Sequence, residues 1–180
     1  MASDLRETAI SKSIVHKGSF LELHWDEVRL PNGKASKREY LLHPGAAAAV
    51  PILDDGRIVL VRQFRYPTGR ALLEIPAGKL DEGEDPATCI RRELSEEIGY
   101  QPGELIPLTS IWTTPGFTNE VIHLFLAKHL RAEPLNPDPD EFLETVVMTK
   151  AEVLKHLDTA EIVDAKTALA FAYLERRNLW

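Results

Sequence analysis

The sequence predicts an α/β protein organised on a mixed sheet. Three observations carry this: short apolar or alternating runs of strand length, helical stretches interleaved with them and following them, and no internal repeat. At 180 residues the chain can form one sizeable core with a small appended subdomain. We expect an N-terminal antiparallel β subdomain over 1–43 and a main α/β domain over 44–180.

Residues 1–12 are polar and without period, and read as a loosely ordered arm. From Ile14 to Leu42 the pattern is β, with Leu21, Leu23 and Trp25 alternating, then Val28 and Leu30. Pro31-Asn32-Gly33-Lys34 reads as a hairpin turn, Asn-Gly supplying the positive φ angles of a type I′ loop. Arg38 to Leu42 returns as the partner strand. A few strands bury too little to stand alone, so this segment must pack on its own chain or on a second subunit.

Ala46 to Leu53 reads as a buried strand of small residues, closed by Asp54-Asp55-Gly56. Arg57 to Arg65 is the most strand-like run, and Ala71 to Ile75 is a short strand after the Pro67-Thr68-Gly69 turn. Leu105 to Trp112 and Val121 to Ala127 are two further strands, joined by the loop 113–120. Residues 131–142 form a proline- and acid-rich loop whose length suggests function. Thr145 to Met148 is a last strand. Thr149 and Glu152 make a capping box for the next helix. Asp164 caps the final helix, with Ala165, Ala168, Leu169, Ala172 and Tyr173 expected on its inner face.

Composition excludes several classes. A hydrophobic fraction of 44% and a charged fraction of 27% are those of a globular protein, and no apolar run is long enough to span a membrane. The N-terminal residues have neither a basic region nor an apolar core, so no secretory signal is expected. The single Cys89 cannot form an internal disulfide and reads as a small buried filler, in keeping with a cytoplasmic location. A net charge of −7 argues against nucleic acid as partner. An acidic protein still binds a small phosphate ester where metal ions and a few arginines reverse the local sign.

The chemistry concentrates between Gly78 and Tyr100. Pro86 opens a helix, Ala87, Ile90, Leu94 and Ile98 form its apolar stripe, and Gly99 ends it. Glu93, Glu96 and Glu97 crowd one side at spacings of three and four residues. Like charges so placed each cost a few tenths of a kcal/mol, so the cluster is better suited to holding a cation than to building a helix. Its donors are all hard carboxylate oxygens, which favours Mg²⁺, with Mn²⁺ possible, over zinc or copper. Magnesium held by a few carboxylates completes its shell with water and substrate phosphate. The bland alternative is an amphipathic helix with a charged outer face.

The spacing decides between them. Gly78, Glu84, Arg92, Glu93, Leu94, Glu96, Glu97 and Gly99 fill the pattern Gly-x5-Glu-x7-Arg-Glu-(apolar)-x-Glu-Glu-x-Gly, and the chain here resembles the Nudix hydrolases. Tyr100 departs by standing where an aliphatic residue is usual, but remains apolar enough to pack. The resemblance implies the Nudix α/β/α sandwich with a mixed sheet. It also implies metal contact by Glu93 and Glu97, helped by the Ala77 carbonyl, with Glu96 sharing a second ion and Glu84 in or beside the site. Arg92, four residues before Glu96, reads as an ion pair fixing the carboxylates.

Resemblance beyond this box is to ADP-ribose pyrophosphatases and related nucleoside-diphosphate-sugar hydrolases. Pro115, 16 residues past Gly99, stands at their marker position, and the runs 61–67 and 73–78 look alike. By the same resemblance Glu141 is the candidate for orienting the attacking water, with Glu144 and Glu120 as runners-up. Arg65 matches a substrate-binding arginine, whose fork suits diphosphate oxygens. Arg38 and Glu39 are candidate contacts to the nucleotide half, and the resemblance implies a homodimer whose subunits share each active site. Trp25 could stack on a base, although a lone tryptophan in an alternating strand is more often core or interface. The six histidines show no ligand spacing and read as surface or edge residues.

The function this implies is metal-dependent hydrolysis of a nucleoside-diphosphate sugar, with ADP-ribose giving AMP and ribose 5-phosphate. Alternatives are another sugar nucleotide such as GDP-mannose, or a non-catalytic Nudix domain that senses a nucleotide sugar. The sensor reading predicts lost metal ligands, and none is missing here.

Overall fold

A computed structural model describes residues 4–135 and 142–180. Contacts divide it into two compact units, Met1–Gly45 with Trp112–Glu120, and Ala46–Ile111 with Val121–Trp180.

The first unit is an antiparallel sheet centred on β3 (Glu22–Arg29). Along one edge run β1 (Thr8–Ser11) and then β2 (Ile14–Lys17), and β4 (Ala35–Leu42) pairs along the other. The arm expected to be loose is thus partly a strand. Thr8–Ser11 is exposed at every residue, so it carries no apolar alternation to read, and its order comes from backbone pairing with β3. The hairpin turn also differs from expectation. Gly33 takes a φ of 84° but Asn32 has no positive φ, and the Gly33 N–H donates to the Leu30 carbonyl at 2.9 Å. This is a turn with Pro31 at its first central position, where fixed proline φ favours the unprimed form, followed by a left-handed glycine. Loop residues 113–120 join this sheet, the Leu41 N–H donating to the Phe117 carbonyl at 2.8 Å.

In β3 the buried residues are His24, Asp26 and Val28, and Trp25 is 50% exposed. The buried face of β3 is thus the one carrying Val28 and not the one carrying Leu23 and Trp25, and it is closed by polar side chains. Tyr40 Oη donates to Asp26 Oδ2 at 2.8 Å, the Ser13 N–H donates to Asp26 Oδ1 at 3.2 Å, and the His24 ring stacks on Tyr40. His24 is therefore buried rather than a surface or edge histidine.

The second unit holds two sheets. One has the order β8-β5-β10-β9, from β5 (Ala46–Pro51), β8 (Ala77–Lys79), β9 (Tyr100–Trp112) and β10 (Val121–Ala132). Its β5 and β10 run parallel, while β8 runs antiparallel to β5, so the sheet is mixed. The other has the order β11-β6-β7, from β6 (Ile58–Arg65), β7 (Arg70–Glu74) and β11 (Leu143–Met148), all antiparallel. Strands β9 and β10 extend beyond the expected runs.

Helix α1 (Pro86–Glu97) covers one side and α2 (Lys150–Asp158) and α3 (Ala165–Arg177) the other. Alternation along the strands explains this. Ala46, Ala48, Val50, Ile58 and Leu60 face Phe171 and Leu174 of α3, whereas Ala47, Ala49, Val59 and Val61 face Ile90, Leu94 and Ile98 of α1. A strand covered on both sides reads as a continuous run, and alanine on both faces lets the layers approach closely. The α/β/α sandwich is what these two clusters make.

Helix α3 turns a different face inward than its apolar pattern suggested. The buried residues are Lys166, Thr167, Ala170, Phe171 and Leu174, while Ala165, Leu169 and Ala172 are exposed. Both stripes have helical period, and alanine discriminates weakly between them. The true stripe was hidden because it contains a lysine.

Candidate active site

The loop before α1 sets its start. Asp85 caps the helix by accepting from the Ala87 and Thr88 N–H groups at 3.0 and 3.2 Å, and Pro86 occupies the first turn, where a missing N–H costs nothing. Gly99, with φ 75°, ends it. The helix is anchored by Ile90 and Leu94, which fixes where the intervening carboxylates stand.

Glu93 is 8% exposed and Glu97 6%, unusually deep for carboxylates. Glu97 Oε2 accepts the Ala77 N–H at 3.1 Å, tying the helix to β8. Glu93 lies directly over Gly78: a Cβ there would fall 1.8 Å from the Glu93 carboxylate. Gly78 thus forms a cradle that only a residue without a side chain leaves open.

Arg92 gathers the other acids. Its guanidinium lies 2.7 Å from Glu93, 3.0 Å from Glu96 and 3.2 Å from Glu84, so the ion pair expected with Glu96 is one of three. Burial works against the Arg92 charge, but Glu84 and Glu93 outweigh it and raise its pKa far above the ordinary value. In turn the Arg92 guanidinium holds Glu84 below the usual carboxylate range. Cys89 donates weakly to the Lys79 carbonyl, and burial pushes its thiol up to about 12, so it is inert filler.

Among the described residues no three His, Cys, Asp or Glu side chains are placed as they stand to hold a metal ion. Glu84, Glu93 and Glu96 are gathered on the Arg92 guanidinium. The donor chemistry nevertheless fits a hard cation: buried carboxylates meet in one place, beside a glycine cradle and a backbone turn.

Arg65 ends β6 in the same unit, and Glu74 ends β7. Their pair is two-pronged, Arg65 Nε to Glu74 Oε1 at 2.8 Å and Nη2 to Oε2 at 2.8 Å. Lys166 of α3 bonds the same Glu74 carboxylate and also Asp164 at 3.0 Å. Burial alone would raise Glu74, but Arg65 and Lys166 overcome it and hold its pKa at about 2. Neither Glu74 nor Lys166 was picked out from the sequence. A signal existed for Lys166: a cation in a first helical turn opposes the helix dipole and calls for a compensating acid.

The remaining candidates are spread more widely. Trp25, Arg38, Glu39, Pro115 and Glu120 belong to the first unit. Trp25 has Lys37 Nζ 4.5 Å from its ring centroid, and it pairs across strands with the exposed Glu39. Arg38 is engaged by Glu7. Pro115 is exposed in its loop, and Glu120 accepts from Thr113 Oγ1 at 2.7 Å. Glu144 is exposed on β11, and Glu141 lies outside the described residues.

A loop–helix bearing buried glutamates against a mixed sheet is the architecture of a Nudix domain, and the NUDIX domain family matches residues 42–170. The chain belongs to the Nudix family, whose hydrolases generally need a divalent metal. It is 45% identical over 176 residues to an ADP-ribose pyrophosphatase of Bacillus subtilis (strain 168), covering 97% of this chain and 95% of that protein. It is 41% identical over 177 residues to a methanol dehydrogenase activator of Bacillus methanolicus, covering 97% and 96%. In structure it superposes on the crystal structure of an ADP compounds hydrolase with a TM-score of 0.86 over 97% of this chain and 96% of that one, at 23% identity, which shows the shared fold.

Proposed function

We propose that this protein is a metal-dependent pyrophosphatase that hydrolyses the diphosphate bond of nucleoside-diphosphate sugars, with ADP-ribose as first substrate and AMP and ribose 5-phosphate as products. The observation that carries this is the pair of buried glutamates, Glu93 and Glu97, held against Ala77 and Gly78. The Bacillus subtilis relative, named for ADP-ribose hydrolysis, supports the substrate.

In this reading Glu93, Glu97 and the Ala77 carbonyl hold Mg²⁺ (or Mn²⁺), with Glu96 and Glu84 at the margin. A divalent cation there supplies charge neutralisation for the phosphate oxygens and a more acidic bound water. The rest is done by the chain itself. Arg92 keeps the carboxylates gathered, since four acids in so small a volume would otherwise repel. Arg65 offers its remaining N–H groups to the diphosphate. Glu141 takes or orients the proton of the attacking water, with Glu144 and Glu120 next in line. Arg38, Glu39, Trp25 and the Pro115 loop contact the nucleotide and sugar. The first unit leaves Ile10, Ile14, Val15 and Trp25 exposed, which supports a homodimer through that sheet with each active site shared. A monomeric mass by light scattering at working concentration would rule the dimer out. A single buried cysteine suits the cytoplasm, and among the described residues no helix is long and apolar enough to cross a membrane.

The test is a panel of ADP-ribose, GDP-mannose, dinucleoside polyphosphates and nucleoside triphosphates with Mg²⁺, run on wild type, Glu97→Gln and Glu141→Gln. Glutamine at 97 keeps an oxygen for the Ala77 N–H but loses the charge. Its loss in rate should therefore exceed the roughly 10–100-fold typical of outer partners of a metal site. Full activity in Glu97→Gln or in chelator sinks the metal assignment. Triphosphates preferred over every nucleotide sugar would sink the substrate, and an unchanged Glu141→Gln would pass the water role to Glu144 or Glu120.

A further inference from the structure

The buried charges behind Arg65 have no part in the reaction as derived so far. Glu74 is 1% exposed and Lys166 8%, at the junction of β7 with the first turn of α3. A buried ion pair costs desolvation that a pair of apolar residues would avoid, so its presence calls for a use. The geometry suggests one. The Glu74 carboxylate is shared by two cations, Arg65 through a two-pronged bond and Lys166 on Oε2. Arg65 is the partly exposed member of the cluster, whereas Glu74 and Lys166 are buried. A guanidinium has five N–H donors, and Glu74 engages those on Nε and Nη2, so others stay available to an anion.

Asp164 caps α3, accepting the Thr167 N–H at 2.9 Å and Thr167 Oγ1 at 2.6 Å, and it also pairs with Lys166 at 3.0 Å, so Lys166 is held between two carboxylates. The same first turn reaches the metal side of the site. Thr167 Oγ1 accepts the Ile75 N–H at 2.9 Å, and two residues on, the Ala77 N–H holds Glu97. Helix α3 thus grips both Glu74 and the segment that carries the chain to the carboxylates.

We propose that Lys166 and Glu74 are positioning residues for substrate binding: Lys166 shares the Glu74 carboxylate so that Arg65, clamped in one orientation, keeps charge and donors for a diphosphate. The inference rests on the pyrophosphatase reading, in which Arg65 meets the diphosphate.

Two measurements test it and separate it from that reading. Steady-state kinetics on ADP-ribose with Mg²⁺ should show Lys166→Met raising KM roughly tenfold, the worth of one weakened charge-assisted hydrogen bond. In the same variant kcat and the Mn²⁺ dissociation constant stay near the wild-type values. Lys166→Arg, which retains the charge, should recover most of the loss. If Lys166→Met fails to fold, the double variant Glu74→Gln/Lys166→Met removes both charges together, and its KM should rise in the same way. An unchanged KM, or KM, kcat and Mn²⁺ affinity all degraded together with no rescue by arginine, overturns the proposal. Calorimetric binding of inorganic pyrophosphate in chelator uses no turnover and should weaken by a similar factor. Pyrophosphate binding that depends on Lys166 in a protein that cleaves no nucleotide sugar would sink the functional reading and leave this inference standing. Equal pyrophosphate affinity in an active enzyme would sink the inference alone.

Discussion

Replacing Gly78 by alanine is the sharpest test of how the carboxylates are held. The backbone permits it, since Gly78 is not among the glycines with positive φ, and a methyl group in a β-strand costs little. The added Cβ would lie 1.8 Å from both Cδ and Oε1 of Glu93 and 2.4 Å from its Cγ. Ordinary contact begins near 3.4 Å, so the carboxylate must retreat by about 1.6 Å. It can do so by rotating, because it is the end of a flexible side chain, but it leaves the position opposite Arg92, now at 2.7 Å. The fold should therefore survive, and the proposed placement of Glu93 as a metal ligand should not. A displacement on the order of 1 Å in a reacting array costs about a hundredfold in rate, or about 2.7 kcal/mol of transition-state stabilisation. We expect Gly78→Ala to melt within a few degrees of wild type, bind Mn²⁺ more weakly, and lose about two decades in kcat/KM on ADP-ribose. A folded Gly78→Ala enzyme with wild-type kcat/KM and Mn²⁺ affinity would refute the placement of Glu93 as a ligand. Gross unfolding would refute the claim that the cradle is local.

Two further outcomes follow from the charges. Arg92→Gln removes the counter-ion of Glu84, Glu93 and Glu96; allowing for its partial exposure, we expect a loss of about 2 kcal/mol in chelator, seen as a melting temperature about 4–8 °C lower. Saturating Mg²⁺ should narrow that gap, and equal melting of the two proteins in chelator would show that Arg92 is not what holds the acids together. Glu74 ionises at about 2 in the fold against 4.5 ordinarily, so its contribution is complete above the unfolded value and is lost as pH falls from 4.5 toward 2. Integrated down to about pH 3, that is about 2 kcal/mol. Urea unfolding should accordingly show wild type losing that much more than Glu74→Gln between about pH 6 and pH 3, and parallel curves would contradict the depressed pKa.

The sequence by itself determined the acidic helix almost completely. Pro86, the Ile90–Leu94–Ile98 stripe and Gly99 are local signals, acting within a few residues through capping, helical period and backbone sterics. The same locality made the capping box at Thr149 and the cap at Asp164 legible. What lay beyond it was any face closed by a polar group. His24 and Asp26 on β3, and Lys166 on α3, turn inward because Tyr40 and Glu74 meet them from other strands. Hydrophobic periodicity points such residues outward, since burying a charge is costly unless a partner is supplied, and the partner lies far along the chain. Lys166 and Glu74 are separated by 92 residues, and Thr8–Ser11 is ordered by pairing with β3 rather than by any pattern of its own. Only the tertiary structure brings such groups together, and with them the clamp on Arg65 and the gathering of Glu84 to Arg92 across the loop–helix junction. The chain's own letters specified the acidic helix; three-dimensional pairing of charges decided how its neighbours are held.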